Sequence, residues 1–153
     1  MTPEDTLERA GFTLPEVTKP VANYVMAAWT GSLLFVSGHG AFDRGSPVHT
    51  GRLGADLTTE DGRLAAQAVM LNLLATVRAQ LGSLSAVERV VKVVVFVNST
   101  PAFTQQHLVA DGATDLLICA FGDTIGRPAR SAVGVAALPL GFAVEIEAVF
   151  QTA

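Results

Sequence analysis

Residues 127–139 read RPARSAVGVAALP and residues 144–150 read VEIEAVF. Apolar and β-branched residues dominate both stretches, which predicts two short strands, and the Pro and Gly residues between them predict a turn. Charged residues are scarce here, so Arg130 in the first stretch and Glu145 and Glu147 in the second stand out. These three side chains are the first candidates for chemistry.

The rest of the chain predicts helices and strands that fit one sheet covered by helices. A short helix over about residues 3–10 and an extended lead-in come first, followed by a hairpin with strands at residues 24–26 and 32–37. Apolar residues at helical spacing predict a long helix from Thr59 to Leu81, and the β-branched run at residues 90–97 predicts a central strand buried on both faces. A second helix is expected from Thr100, with Gly122 and Gly126 ending it.

Composition limits the class of protein. The 153 residues fit a single domain over residues 1–153, in which residues 1–20 form the N-terminal helix and lead-in. Half of the residues are hydrophobic and only 16% are charged, which suggests that subunits bury apolar surface between them. The net charge of −4 and the absence of a Lys/Arg run argue against nucleic acid as a partner.

Three further features bear on location and on metal binding. The single cysteine, Cys119, cannot form an internal disulfide, and charged residues near the N-terminus are unlike a signal peptide, so a cytoplasmic location is expected. No apolar run is long enough to predict a membrane segment. His39, His49 and His107 are scattered along the chain, so no metal site is expected.

The segment Gly38-His39-Gly40 follows the second strand of the predicted hairpin and has two interpretations. Its glycines allow the backbone to approach a ligand closely, or they form a turn that leaves the sheet. The glycine motifs of nucleotide-binding proteins and the nucleophile elbow of hydrolases are absent from the sequence.

Arg130, Glu145 and Glu147 suit the chemistry of a small acid. A guanidinium can hold a carboxylate through two hydrogen bonds, and a nearby glutamate can position or deprotonate water. The alternative is that Arg130 forms a structural ion pair at a strand end. Glu145 and Glu147 are two residues apart, so both point to one face of the strand. If the two strands form an antiparallel hairpin, Arg130 and Glu145 lie roughly 20 Å apart and meet only across a subunit boundary.

The same stretches resemble the signature of the RidA (YjgF/YER057c/UK114) family, also labelled endoribonuclease L-PSP. The resemblance rests on Tyr24 and on LFVSG at 34–38, VKVVVF at 91–96, PARS at 128–131, VAALP at 135–139 and VEIEA at 144–148. It implies a chorismate-mutase-like α+β fold, with a mixed β-sheet and two helices packed on one face. It also implies a homotrimer with clefts between subunits and no cofactor.

The resemblance also implies an activity and site residues. Active members hydrolyse reactive enamines and imines, such as 2-aminoacrylate and 2-iminopropionate, to 2-keto acids and ammonia. Arg130 falls on the arginine that holds the substrate carboxylate, and Glu145 falls on the glutamate that activates water. Tyr24 falls on a tyrosine that lines the cleft, and backbone groups near Gly38 are expected to contact the ligand.

Several positions depart from the family pattern. His39 replaces a frequent glutamine, and Ala132 replaces a cysteine; both are counted among the expected substrate-binding positions. The loop at residues 41–56 is longer than in well-known members, which places the chain in a divergent branch. The alternative function is therefore a non-catalytic or regulatory trimer that binds a small carboxylate such as a keto acid. Ribonuclease activity is the weakest alternative, because the chain is acidic and has no basic patch.

Overall fold

The computed structural model describes residues 1–20 and 22–153, which form three helices, one five-stranded mixed sheet and a two-stranded ribbon. In chain order the elements are α1 (Pro3–Arg9), β1 (Ala27–Thr30), β2 (Leu33–His39), β3 (Phe42–Asp43), β4 (Ser46–Pro47), α2 (Thr59–Leu81), β5 (Val87–Asn98), α3 (Gln106–Gly126), β6 (Ala129–Val135) and β7 (Val144–Thr152). The strand order across the main sheet is β1-β2-β7-β5-β6, and β3 and β4 form the ribbon. Helices α2 and α3 pack against each other and on one face of the sheet. The predicted α+β fold is confirmed.

The two C-terminal strands are not neighbours, which corrects the expectation of a hairpin. β5 lies between them, parallel to β6 and antiparallel to β7. The connection from β6 to β7 contains a short 3-10 turn, Pro139–Gly141, in which Leu140 has a φ of 58°. The physical reason lies in β5, because a strand with apolar residues on both faces is best placed inside the sheet, with a partner on each edge.

Several predicted boundaries move by a few residues. The N-terminal hairpin is confirmed, but its first strand begins at Ala27 instead of residue 24. The loop after β2 contains the ribbon β3–β4 in place of one strand near Val48. Helix α3 begins at Gln106, since the Thr100 amide donates to the Leu53 carbonyl oxygen at 3.0 Å and holds this segment outside the helix. The helix is kinked at Gly122, where φ is 81°.

Helix α2 has clear signals at both ends and an apolar body. Thr58 caps its N-terminus in a capping box with Asp61, and Gly82 ends it with a φ of 84°. By length and composition α2 could cross a membrane, but more than half of its apolar window is buried inside the domain. Such burial is usual for the core helix of a globular domain.

Close contact between α2 and α3 depends on a glycine. A Cβ atom at Gly112 would lie 2.1 Å from the Arg63 carbonyl oxygen of α2. The residue that weakens α3 as an isolated helix therefore allows the two helices to approach each other.

The two faces of the sheet differ in burial. On β5, Val93, Val95 and Val97 face the helices and are fully buried, whereas Val94 and Phe96 lie on the opposite face and are partly exposed. We call this second surface the open face. It includes further exposed apolar residues, among them Phe35 of β2 and Val133 of β6, which are 45% and 42% exposed. An apolar surface of this kind is what the predicted homotrimer requires.

Candidate active site

Glu145 and Glu147 both lie on the open face of β7, as their spacing predicts. They are paired with Phe96 and Val94 of β5, and the residues between and beside them are buried against the helices. Strand alternation therefore directs two carboxylates away from the core and along one surface.

The Glu145 carboxyl group lies directly against Gly38. A Cβ atom at Gly38 would be 2.6 Å from Glu145 Oε2, so a side chain there would displace the Glu145 carboxyl group from this position. The backbone at Gly38 has no positive φ, and the glycine matters here for the space that it leaves to the carboxyl group. Burial raises the pKa of the Glu145 carboxyl group, and the negative charge of Glu147 raises this pKa further. A carboxyl group with a raised pKa beside an accessible backbone can exchange protons with a bound ligand.

Arg130 is directed to the other face of the sheet. It is paired with Val93 of β5, and its guanidinium group reaches α3. Nη1 donates to Asp111 Oδ1 at 2.8 Å and to Thr114 Oγ1 at 3.1 Å, and Nη2 donates to the His107 carbonyl oxygen at 3.3 Å. The side chains of Arg130 and Asp111 are 24% and 37% exposed, so the ion pair lies at the border of the core. The structural ion pair considered as an alternative is present.

The sheet register sets the distance between Arg130 and Glu145. Arg130 is level with Val93 and Glu145 with Phe96, which is three residues further along β5. With about 3.3 Å per residue and about 4.8 Å between strands, their Cα atoms are about 14 Å apart. The expected 20 Å was too long because it assumed a hairpin. The two side chains also lie on opposite faces, so a single chain does not bring them together.

The His39 side chain, expected as a substrate contact, does not reach the open face. Its ring is 1% exposed and lies between β2 and α2. Nδ1 donates to the Ser37 carbonyl oxygen at 2.6 Å, and Nε2 is 2.8 Å from Thr76 Oγ1. A carbonyl oxygen can only accept, so Nδ1 carries the hydrogen and Nε2 accepts from the threonine hydroxyl. Burial lowers the pKa of His39, which keeps this ring neutral.

Tyr24 and Ala132, the other two expected substrate contacts, lie in different places. Tyr24 precedes β1 and is 45% exposed. Ala132 is paired with Val95 and packs against the core on the helix side of β6. Of the expected site residues, Gly38 and Glu145 are in contact with each other.

The open face also carries a concavity of about 400 Å³ that the sequence did not predict. Its polar groups come from Ser37, Lys92 and Glu147, and its apolar wall includes Phe35 and Val149. Lys92 Nζ donates to Ser131 Oγ at 3.3 Å. Lys92 is the one charged residue in an otherwise apolar run, and this was the signal that could have identified it.

Comparison with known proteins then identifies the family. Residues 6–151 match the family model described as endoribonuclease L-PSP. The chain belongs to this family, also called RidA/YjgF. Protein TCP17 of Trypanosoma cruzi is 47% identical to it over 145 residues, which cover 95% of this chain and 91% of TCP17.

Two solved structures show the same fold at different levels of similarity. The crystal structure of Atu1372 from Agrobacterium tumefaciens has a TM-score of 0.91 and 41% identity, covering 99% of this chain and 92% of that one. RidA from the Antarctic bacterium Psychrobacter sp. PAMC 21119 has a TM-score of 0.60 and 26% identity, covering 92% and 96%. This L-PSP chain is thus closer to Atu1372 than to that RidA.

Within this L-PSP chain, the candidate site residues form two groups. Glu145 lies against Gly38 on the open face, and Arg130 forms an ion pair with Asp111 at the sheet edge. β6 is an edge strand, so Arg130 and Asp111 lie where a neighbouring subunit could contact the sheet. Among residues 1–20 and 22–153, no three His, Cys, Asp or Glu side chains are placed to hold a metal ion.

Proposed function

We propose that this protein hydrolyses small carboxylate-bearing imines and enamines, of the 2-iminopropionate and 2-aminoacrylate type, to 2-keto acids and ammonia. The observation that carries the proposal is the Glu145 carboxyl group, which is partly buried, has a raised pKa and lies against the backbone of Gly38. Membership in the L-PSP family supports the same general chemistry.

In the proposed reaction, Glu145 acts on water and on the nitrogen that leaves. The carboxylate takes a proton from water as the water oxygen attacks the carbon of the protonated imine, which gives a carbinolamine. The protonated carboxyl group then returns this proton to nitrogen. The C–N bond breaks as the carboxylate takes the proton of the carbinolamine hydroxyl group, which releases ammonia and the 2-keto acid. A raised pKa suits a group that must accept and return a proton near neutral pH.

Arg130 is proposed to hold the substrate carboxylate. A guanidinium has five N–H donors, and those of Nη1 bind Asp111 and Thr114 while one of Nη2 binds the His107 carbonyl oxygen. The Nε hydrogen and the second Nη2 hydrogen remain, and these two can bind a carboxylate bidentately. The ion pair with Asp111 would then orient the arginine without using all of its donors.

Because one chain holds Arg130 and Glu145 on opposite faces, we propose that the site is completed across subunits of a homotrimer. The edge of β6 in one subunit would meet the open face of the next. Apolar residues on that face supply the surface that such contact requires.

The direct test is release of ammonia and keto acid from enzymatically generated 2-iminopropionate. The Glu145→Gln variant should lower kcat by about 100-fold or more, which is usual when a general acid-base group is lost. Arg130→Lys, which keeps the charge but loses the planar group, should mainly raise KM. Glu147→Gln is the matched control on the same strand and should keep most of the activity. Equal rates for the wild type and Glu145→Gln would refute the proposal.

A second candidate is a non-catalytic trimer that binds small carboxylates. The observation that favours it is the placement of Arg130 and Glu145 on opposite faces of the sheet, because Arg130 can bind a carboxylate without Glu145. This function predicts thermal stabilisation by 2-oxobutyrate that is lost in Arg130→Ala, with no turnover of the imine.

A further inference from the structure

A second concavity of about 400 Å³ lies at the end of β5 and β6, beside the start of α3. Its wall includes Arg52, Ser99, Gln106 and Gly134. Gly134 lies four residues beyond Arg130 on β6, which corresponds to about 13 Å along the strand. Gly134 is paired with Val97, whose side chain faces the helices, whereas Glu145 lies on the open face. The concavity is therefore separate from the candidate active site.

The loop before α2 brings Arg52 to this position. The Leu53 amide donates to the Asn98 carbonyl oxygen at 2.9 Å, and the Thr100 amide donates to the Leu53 carbonyl oxygen at 3.0 Å. These backbone bonds attach the loop to the end of β5. Arg52 is thereby fixed next to Ser99, and its side chain is partly buried.

In residues 1–20 and 22–153, the Arg52 guanidinium group has no ion-pair partner. Its guanidinium makes one hydrogen bond, from Nη2 to the Ser99 carbonyl oxygen at 3.2 Å, and its Nε is buried without a partner in the described part of the chain. Within that same part, no carboxylate oxygen lies within 4.0 Å of the guanidinium nitrogens. The nearby Asp56 carboxylate accepts from the Arg52 backbone amide at 3.1 Å instead. A partly buried cation with free donors favours a bound anion.

Other groups in the wall add polar contacts and room. Gln106 Nε2 donates to the Phe103 carbonyl oxygen at 2.8 Å and lies 3.4 Å from Ser99 Oγ. A Cβ atom at Gly134 would be 2.7 Å from Ser99 Oγ and 2.9 Å from Gln106 Nε2. The missing side chain at Gly134 thus leaves both polar groups at the surface of the concavity.

We propose that this concavity is a second binding site, which takes a small oxyanion, either a carboxylate or a phosphate group, through the Arg52 guanidinium. Arg52 supplies the charge and the free planar donors. The Gln106 amide and the Ser99 hydroxyl, which donates to the Val97 carbonyl oxygen at 3.1 Å, form the polar border of the site. The proposal does not depend on imine hydrolysis, because none of its residues belongs to the candidate active site.

Binding is tested by NMR titration of the full-length protein with inorganic phosphate and, separately, with acetate. We expect saturable shifts of the Gly134 backbone amide and the Gln106 side-chain amide with at least one anion. The anion that causes them identifies the chemistry of the site. Absence of saturable shifts with both anions at tens of millimolar would overturn the proposal.

Variants show which cation binds the anion. Arg52→Gln should weaken the affinity about tenfold or more, as expected for losing a charged hydrogen-bond donor. Arg44→Gln removes the same charge from a side chain that is 90% exposed and should leave the affinity unchanged. Arg130→Lys should also leave it unchanged, which separates this site from the proposed active site. Equal affinity in the wild type and Arg52→Gln would refute the role of Arg52.

Discussion

The ion pair between Arg130 and Asp111 sets how strongly Arg130 can bind a substrate carboxylate, and Asp111→Asn tests this directly. In the wild type, Arg130 Nη1 lies 2.8 Å from Asp111 Oδ1. The asparagine keeps an oxygen that can accept this hydrogen bond, but it removes the negative charge. Two carboxylates on different edges of one guanidinium are roughly 6 Å apart. Their repulsion costs about 1 kcal/mol at the dielectric constant of water and about 3 kcal/mol at that of a protein surface. Asp111 is 37% exposed, so the lower value applies. We expect Asp111→Asn to bind 2-oxobutyrate about fivefold more tightly, which corresponds to about 1 kcal/mol.

The assay is isothermal titration with 2-oxobutyrate, together with thermal unfolding at one fixed protein concentration. Loss of the ion pair should lower stability by about 1 kcal/mol and Tm by about 2–4 °C. Asp115→Asn is the matched control, since Asp115 also lies on α3 and pairs with Arg63 at 3.6 Å. Its affinity for 2-oxobutyrate should not change. Unchanged or weaker binding by Asp111→Asn would refute the view that Asp111 limits the charge available at Arg130.

Three further predictions concern stability. Glu145→Gln should raise Tm while it lowers activity, because burial and Glu147 make the charged carboxylate unfavourable in the folded state; a lower Tm would contradict this. Gly112→Ala should destabilise the protein by about 1–3 kcal/mol in urea unfolding, because its Cβ would meet backbone atoms of Arg63, and a neutral effect would contradict the close helix contact. The folded-state pKa of His39 is lowered, so the unfolded state binds more protons, and stability should fall as the pH drops below 6.5, by at most about 1.4 kcal/mol per pH unit. In His39→Gln this part of the pH dependence should disappear, and an unchanged slope would contradict it.

Local signals in the sequence predicted much of the fold. Thr58 and Gly82 marked the ends of α2, and alternation along β7 placed Glu145 and Glu147 on one face. These features depend on residues a few positions apart, so they can be read from a single chain. The family resemblance added the mixed sheet with helices on one face, which the structure confirms.

What the sequence missed depends on contacts between distant segments. β5 lies between β6 and β7 because of long-range strand pairing, which the Pro and Gly residues between β6 and β7 do not indicate. Arg130 binds Asp111, which is 19 residues earlier in the chain. The pairing depends on how α3 is rotated about its own axis, and the sequence does not predict that rotation. The pairing of β2 with β7 shifts between Val36 and His39, and a shift of one residue exchanges the faces of a strand. For this reason His39 lies in the core and Gly38 contacts Glu145.

The proposed mechanism requires Arg130 of one subunit and Glu145 of another to form one hydrolytic site. Coexpressing Arg130→Ala with Glu145→Gln, and assaying 2-iminopropionate hydrolysis by the mixed oligomers, tests it most directly. Each variant alone should be nearly inactive. Random mixing in a cyclic trimer should restore about a quarter of the wild-type sites, because each site needs one intact residue from each of two neighbours. Activity of the mixture that does not exceed that of the separate variants would contradict the claim.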